Sequence, residues 1–163
     1  MSAFPDPFSF VALDACHQQI QMHLAELAAL VAQMDSSGLD AKVQRQAGAI
    51  ETFFSSTARQ HHAEEEKNVF PALLASGNAE LVAAVQTLQQ DHGWIEENWI
   101  ELGPQLRAIA LGNNWFDVAE FKHGAEVFLS LCRDHIALEE SLVYPEAKAR
   151  LAQSVANRVK RGS

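Results

Sequence analysis

A chain of 163 residues with 48% hydrophobic and 20% charged side chains has the length and apolar content of one ordinary globular domain. Its formal net charge of −9 works against a nucleic-acid surface, because phosphate binding needs clustered Lys and Arg rather than a surplus of Asp and Glu. No window approaches the roughly 20 apolar residues of a membrane span, and the opening MSAFPDPFSF lacks the basic region and cleavage pattern of a signal peptide, so a cytoplasmic location is expected.

Residues 1–8 read as a short arm. Beyond them, apolar residues recur at three- and four-residue steps, and strict alternation is hard to find, which predicts helices and no sheet. The first stripe is Phe10, Leu13, His17, Ile20, Leu24, Leu27, Val31, with a stop near Ser36-Ser37-Gly38. The second is Val43, Ala47, Ile50, Phe54, Thr57, Ala58, His61, Glu65, Val69, with Asp40 as its N-cap and a break at Ser76-Gly77-Asn78. The third runs Leu81, Val85, Leu88, His92, Ile95, Trp99, Leu102, Leu106, Ile109, with a kink expected at Gly103-Pro104. After a turn at Gly112-Asn113-Asn114 comes the fourth, Phe121, Ala125, Phe128, Cys132, His135, Leu138, Glu139, Leu142. Four helices with short connections predict an all-α, up-down-up-down four-helix bundle spanning 1–163 as a single domain. The segment 148–163 gathers Lys148, Arg150, Arg158, Lys160 and Arg161 and reads as the solvated basic end of the last helix. Cys16 and Cys132 are too few for a disulfide framework and lack CxxC spacing, so both read as reduced, buried thiols.

Each apolar stripe carries one histidine: His17, His61, His92 and His135. His17 and His92 lie early in their helices and His61 and His135 late, so an antiparallel bundle brings all of them to one end. His61 and His135 each have a glutamate one turn later, Glu65 and Glu139, on the same helix face. Burying such a set costs several kcal/mol per uncompensated charge, a cost that a metal ion removes.

The chain also repeats. Leu13-x3-His17-x2-Ile20 matches Leu88-x3-His92-x2-Ile95, and His61-x3-Glu65-Glu66-x3-Phe70-Pro71 matches His135-x3-Glu139-Glu140-x3-Tyr144-Pro145. Two metals bridged by two glutamates in a pseudo-twofold arrangement follow from that duplication. The repeat also chooses between His61-x3-Glu65 and the overlapping His62-x3-Glu66, because the counterpart of His62 is Ile136. His62 continues the line Glu51, Ser55, Arg59 and is expected at the surface or behind the ligands, as are Glu64 and Glu66.

Imidazole and carboxylate without thiolate suit iron, with zinc or manganese as alternatives, and disfavour calcium or magnesium. The Glu-x-x-His pairs of ferritin-like bundles are missing, since Asp14, Ala58, Gln89 and Cys132 stand three residues before the histidines. From about residue 8 to 147 the pattern resembles the hemerythrin-like (HHE cation-binding) family. The resemblance implies two iron ions with an oxo or hydroxo bridge. It puts His17 and His61 on one iron, His92 and His135 on the other, and Glu65 and Glu139 between them. Oxygen-carrying members have a further histidine one turn after the third-helix histidine, where this chain has Glu96, a further candidate ligand. That departure makes plain O2 transport a poorer fit.

The expectation is therefore a metal- and ligand-binding protein that takes O2 or NO for sensing, storage or scavenging. The alternative is a di-iron enzyme acting on peroxide or NO, or an iron donor for iron-sulfur cluster repair. Neither the physiological ligand nor a redox partner can be read from the residues.

Overall fold

The computed structural model describes residues 10–34, 39–113 and 115–162. Among the described residues there is no strand, and the helices form four rods. The first is α1 (Phe10–Met34). The second joins α2 (Ala41–Ser55), α3 (Thr57–Glu64), a π-helical turn (Glu65–Val69) and α4 (Phe70–Leu74). The third is α5 (Ala79–Ala110), and the fourth joins α6 (Val118–Leu138), a second π-helical turn (Glu139–Val143) and α7 (Tyr144–Gly162). α1 and α5 each pack against both α2 and α6, which is the square of an up-down-up-down four-helix bundle.

The helix starts follow from side chains that accept otherwise orphaned amide protons. Asp40 accepts from the Val43 amide at 2.8 Å, Asn78 from Glu80 and Leu81 at 3.0 and 3.2 Å, and Asp117 from Glu120 at 3.0 Å. The breaks at Gly77 and Gly112 each use a left-handed backbone, φ 74°, which glycine adopts at little cost. The expected stop at Ser36-Ser37-Gly38, the arm at residues 1–8, and Asn114 and Ser163 lie outside the described residues. α5 passes through Gly103 and Pro104 without ending. The carbonyl that Pro104 leaves without a helical partner is that of Ile100, a residue on the exposed face where water can reach it.

The second rod differs from the single helix read in the sequence. It is interrupted at Ser56 (φ −128°, ψ −77°), whose hydroxyl donates to the Thr52 carbonyl at 2.6 Å. A serine hydroxyl that competes for a carbonyl one turn back loosens the helical ladder. Further along, Pro71 has no N–H and its ring would press on the carbonyl four residues back. The turn ahead of it widens, so that the Phe70 amide donates to the Glu65 carbonyl, five residues back. Pro145 has the same effect, and the Tyr144 amide donates to Glu139. A π turn puts residues i and i+5 on one face. Phe70 therefore shares a face with Glu65, and Tyr144 with Glu139.

Two apolar clusters fill the interior. The larger contains Leu24, Leu27, Ile50, Phe54, Trp99, Leu106, Phe121 and Phe128; the smaller contains Leu13, Phe70, Leu73, Leu88, Val143 and Tyr144. Each fully buried Leu or Phe contributes about 1.5–3 kcal/mol. The buried polar residues His17, His61, Glu65, His135 and Glu139 form a layer between the two clusters, toward one end of the bundle and beneath the smaller one. Among the described residues no helix is long and apolar enough to cross a membrane.

Candidate metal centre

α1, α3, α5 and α6 each aim one imidazole into this polar layer. Glu65 Oε1 lies 3.7 Å from His61 Nε2 and 3.2 Å from His92 Nε2. Glu139 Oε1 lies 3.2 Å from both His17 Nε2 and His135 Nε2. Each carboxylate thus reaches one histidine of the His17/His61 pair and one of the His92/His135 pair. The ring centroids within each pair are 4.8 Å apart.

These atoms converge without satisfying one another. His17 Nε2, His92 Nε2, His135 Nε2, Glu65 Oε1 and both Glu139 oxygens are buried without an aligned hydrogen bond. Orphaned polar atoms of this kind are rare and costly in a folded chain. A cation between them would turn the same atoms into ligands. Atoms of His17, His61, Glu65 and Glu139 lie within 4.8 Å of one another, as do atoms of His62, Glu65, His92 and His135, with Glu65 common to both groups.

The outer ring nitrogens face carboxylates. His92 Nδ1 is 2.8 Å from Glu66 and His135 Nδ1 3.3 Å from Asp91, while His17 Nδ1 lies 3.4 Å from Glu140 without an aligned hydrogen bond. A carboxylate behind an imidazole fixes the ring's orientation and leaves the other nitrogen's lone pair aimed inward. Glu66 and Glu140 occupy matching places in the repeat, and each backs a histidine on another helix. Gln89 and Gln21 donate in turn to Glu66 and Glu140 at 3.3 and 3.4 Å.

The electrostatics suit a cation. Burial lowers the pKa of His17 and His135 and brings that of His61 down to about 4, which keeps those imidazoles neutral. Burial opposes ionisation of Glu65 too, but the close approach of His92 and the surrounding imidazoles outweigh it and hold its pKa low. His92 is pushed the other way. Burial lowers its pKa, yet Glu65 and Glu66 together raise it. Two carboxylates facing imidazoles, with no thiolate, form a donor set that fits iron or another divalent transition metal.

Tyr144 and Phe70 cap the layer. The Tyr144 ring stacks on His17 at 4.6 Å and 13°, and that of Phe70 on His92 at 5.6 Å and 25°. Only tyrosine has a hydroxyl, and it donates to Glu65 Oε2 at 2.8 Å. The repeat FP/YP signalled these positions in the sequence. Their contact with the site depends on the π turns.

Glu96 does not join the converging atoms. It accepts from Arg59 Nη2 at 2.5 Å and from Arg59 Nε at 3.1 Å, with both side chains nearly half exposed. His62 lies closer in. Of the two places expected for it, the surface or behind the ligands, its ring takes the inner one, stacking on His92 at 4.2 Å and 25° and standing edge-on to His135 at 5.6 Å. Burial and the neighbouring imidazoles push its pKa well below the ordinary value. The line Glu51, Ser55, Arg59, His62 faces α5, pairing with Arg107, Trp99, Glu96 and His92. A polar run that looks solvated in sequence is here a seam between helices.

Beside this layer is an apolar cavity walled by Ile20, Phe54, Ile95, Trp99, Phe128 and Cys132. His62, His135 and Glu139 line its polar side, and Arg59 and Glu96 its solvent side. The centre of a water-sized sphere has about 20 Å³ in which to move, room for roughly one small molecule. Burial holds the Cys132 thiol well above its ordinary pKa, so it lines the cavity as a neutral, weakly polar group.

No solved structure gives a significant match to this chain. An uncharacterized protein of Haemophilus influenzae is 29% identical over 130 residues, covering 80% of this chain and 73% of that protein. The profile described as Hemerythrin HHE cation binding domain matches residues 10–147. That span contains every histidine and glutamate of the polar layer, and the chain belongs to the hemerythrin HHE cation-binding domain family.

Proposed function

We propose that the chain is a non-haem di-iron protein that binds a small diatomic ligand, O2 or NO, for sensing, storage or scavenging. The observation that carries this reading is an apolar cavity for about one small molecule, set against His62, His135 and Glu139 on one side of a cation-binding layer. His17, His61, His92 and His135 with Glu65 and Glu139 would hold two iron ions. The irons would supply electrons and an open coordination position to the ligand.

The protein's own contribution is positioning. Glu66, Glu140 and Asp91 orient three of the imidazoles. Tyr144 Oη holds one oxygen of Glu65, and mostly apolar side chains wall the cavity. Peroxide or NO turnover at the same place is the second reading. It is favoured by Glu96, whose pairing with Arg59 leaves it out of the donor set and one position free for a substrate.

Metal analysis with absorption spectra of the reduced protein before and after O2, and separately NO, tests the proposal. Two irons per chain and new, reversible visible bands are expected. Zinc alone, or iron without a spectral response to either gas, would overturn it. Hydrogen peroxide consumption without reversible bands would transfer the assignment to the enzyme reading.

A further inference from the structure

We propose that His62 is a metal ligand, supplying a third imidazole to the half of the centre that contains His92 and His135. The inference rests on the di-iron reading above and extends it to a residue outside the duplicated pattern.

Position is the first argument. A ring nitrogen of His62 lies within 4.8 Å of ligand-capable atoms of Glu65, His92 and His135. This is as tight a grouping as that of His17, His61, Glu65 and Glu139 on the other side. The second is chemical need. The ring neighbours of His62 are the other imidazoles, His61, His92 and His135, and the inward nitrogens of His92 and His135 are buried without a partner. A cation would give this crowd of rings a common partner.

The third argument is the fate of Glu96. The oxygen carriers that the sequence resembles place their additional histidine at that position on the third helix. Here both carboxylate oxygens accept hydrogen bonds from Arg59. His62, one turn along the same seam, brings an imidazole to the layer from the second rod instead. Its counterpart Ile136 is a buried apolar residue, so the repeat supplies this extra group on one side only.

The result is an unequal pair of sites. One has His17 and His61, the other His62, His92 and His135, with Glu65 and Glu139 each reaching both. The additional imidazole gives the second site one more protein donor than the first, so the two irons would differ in coordination. It is also the site bordering the cavity.

The test is anaerobic titration of the metal-free full chain with ferrous iron, reading bound iron per chain, for wild type, His62→Ala, His62→Gln and Glu96→Gln. Circular dichroism confirms that each is folded. Wild type and Glu96→Gln should take up two irons. Both His62 variants should bind the second iron about 10–100-fold more weakly, at least the effect seen for partners one step further from a metal. Added imidazole, which fits the space left in His62→Ala, should restore the second iron there. Two irons held with wild-type affinity in both His62 variants would overturn the third imidazole while leaving the di-iron reading intact. A loss that imidazole does not reverse would assign His62 to packing and overturn it as well. A wild type that takes up fewer than two irons would overturn the di-iron reading and this inference together.

Discussion

The two halves of the polar layer come from one repeated sequence and face different surroundings. Around His17 and His61 the layer is closed: both rings are buried, and Tyr144 stacks on one and reaches the other at 3.4 Å. Around His92 and His135 it is open, with His92 10% exposed and a cavity beside His135. Two substitutions within the repeat separate the halves. Tyr144 stands where the other copy has Phe70, and His62 stands where the other has Ile136. Duplication supplies a symmetric donor set, and single departures from it leave one side closed and the other beside a cavity.

Removing a shared carboxylate should collapse both halves together, the largest effect expected. Glu65→Ala or Glu139→Ala should lose most bound metal and about 3–5 kcal/mol of holoprotein stability, the scale of breaking a buried charged pair. Metal analysis and chemical denaturation check this, and unchanged metal content in both variants would refute the shared role. Next come the backing carboxylates, which address one half each. Glu140→Ala should weaken metal binding about 10–100-fold on the His17 side, and Glu66→Ala by as much on the His92 side, as resolved by stepwise metal titration.

Tyr144→Phe makes the closed half resemble the open one. It deletes a hydrogen bond to a carboxylate and should cost about 1.5–3 kcal/mol in thermal or urea unfolding. Phe70→Tyr, which places a hydroxyl on the other side, should not mirror that loss. The smallest effect belongs to the seam. Arg59→Ala should change stability by about 0–1 kcal/mol, because the pair is nearly half exposed, and should leave metal content unchanged. A marked loss of iron in that variant would mean that the seam helps to build the centre.

The bundle, its caps at Asp40 and the glycine breaks were legible because helical periodicity and capping are local properties. The convergence of His17, His61, His92 and His135 with Glu65 and Glu139 was legible because the motif occurs twice and antiparallel rods leave little choice of register. The line Glu51, Ser55, Arg59, His62 left a choice between the surface and a place behind the ligands. It faces α5, because a helix in a bundle has two partly buried flanks as well as one buried stripe. Residue type does not say which flank finds a partner. The π turns at Glu65 and Glu139 were likewise hidden, although each precedes a proline that explains it. The extra residue in each turn brings Phe70 and Tyr144 over the imidazoles.

The central claim is that one centre holds two unequal irons, only one of them beside the cavity. Mössbauer spectroscopy of the chain loaded with iron-57, before and after azide as a small anionic probe, tests it most directly. Two quadrupole doublets of equal area are expected, with azide shifting one of them. A single doublet that shifts as a whole, or iron amounting to one ion per chain, would contradict it.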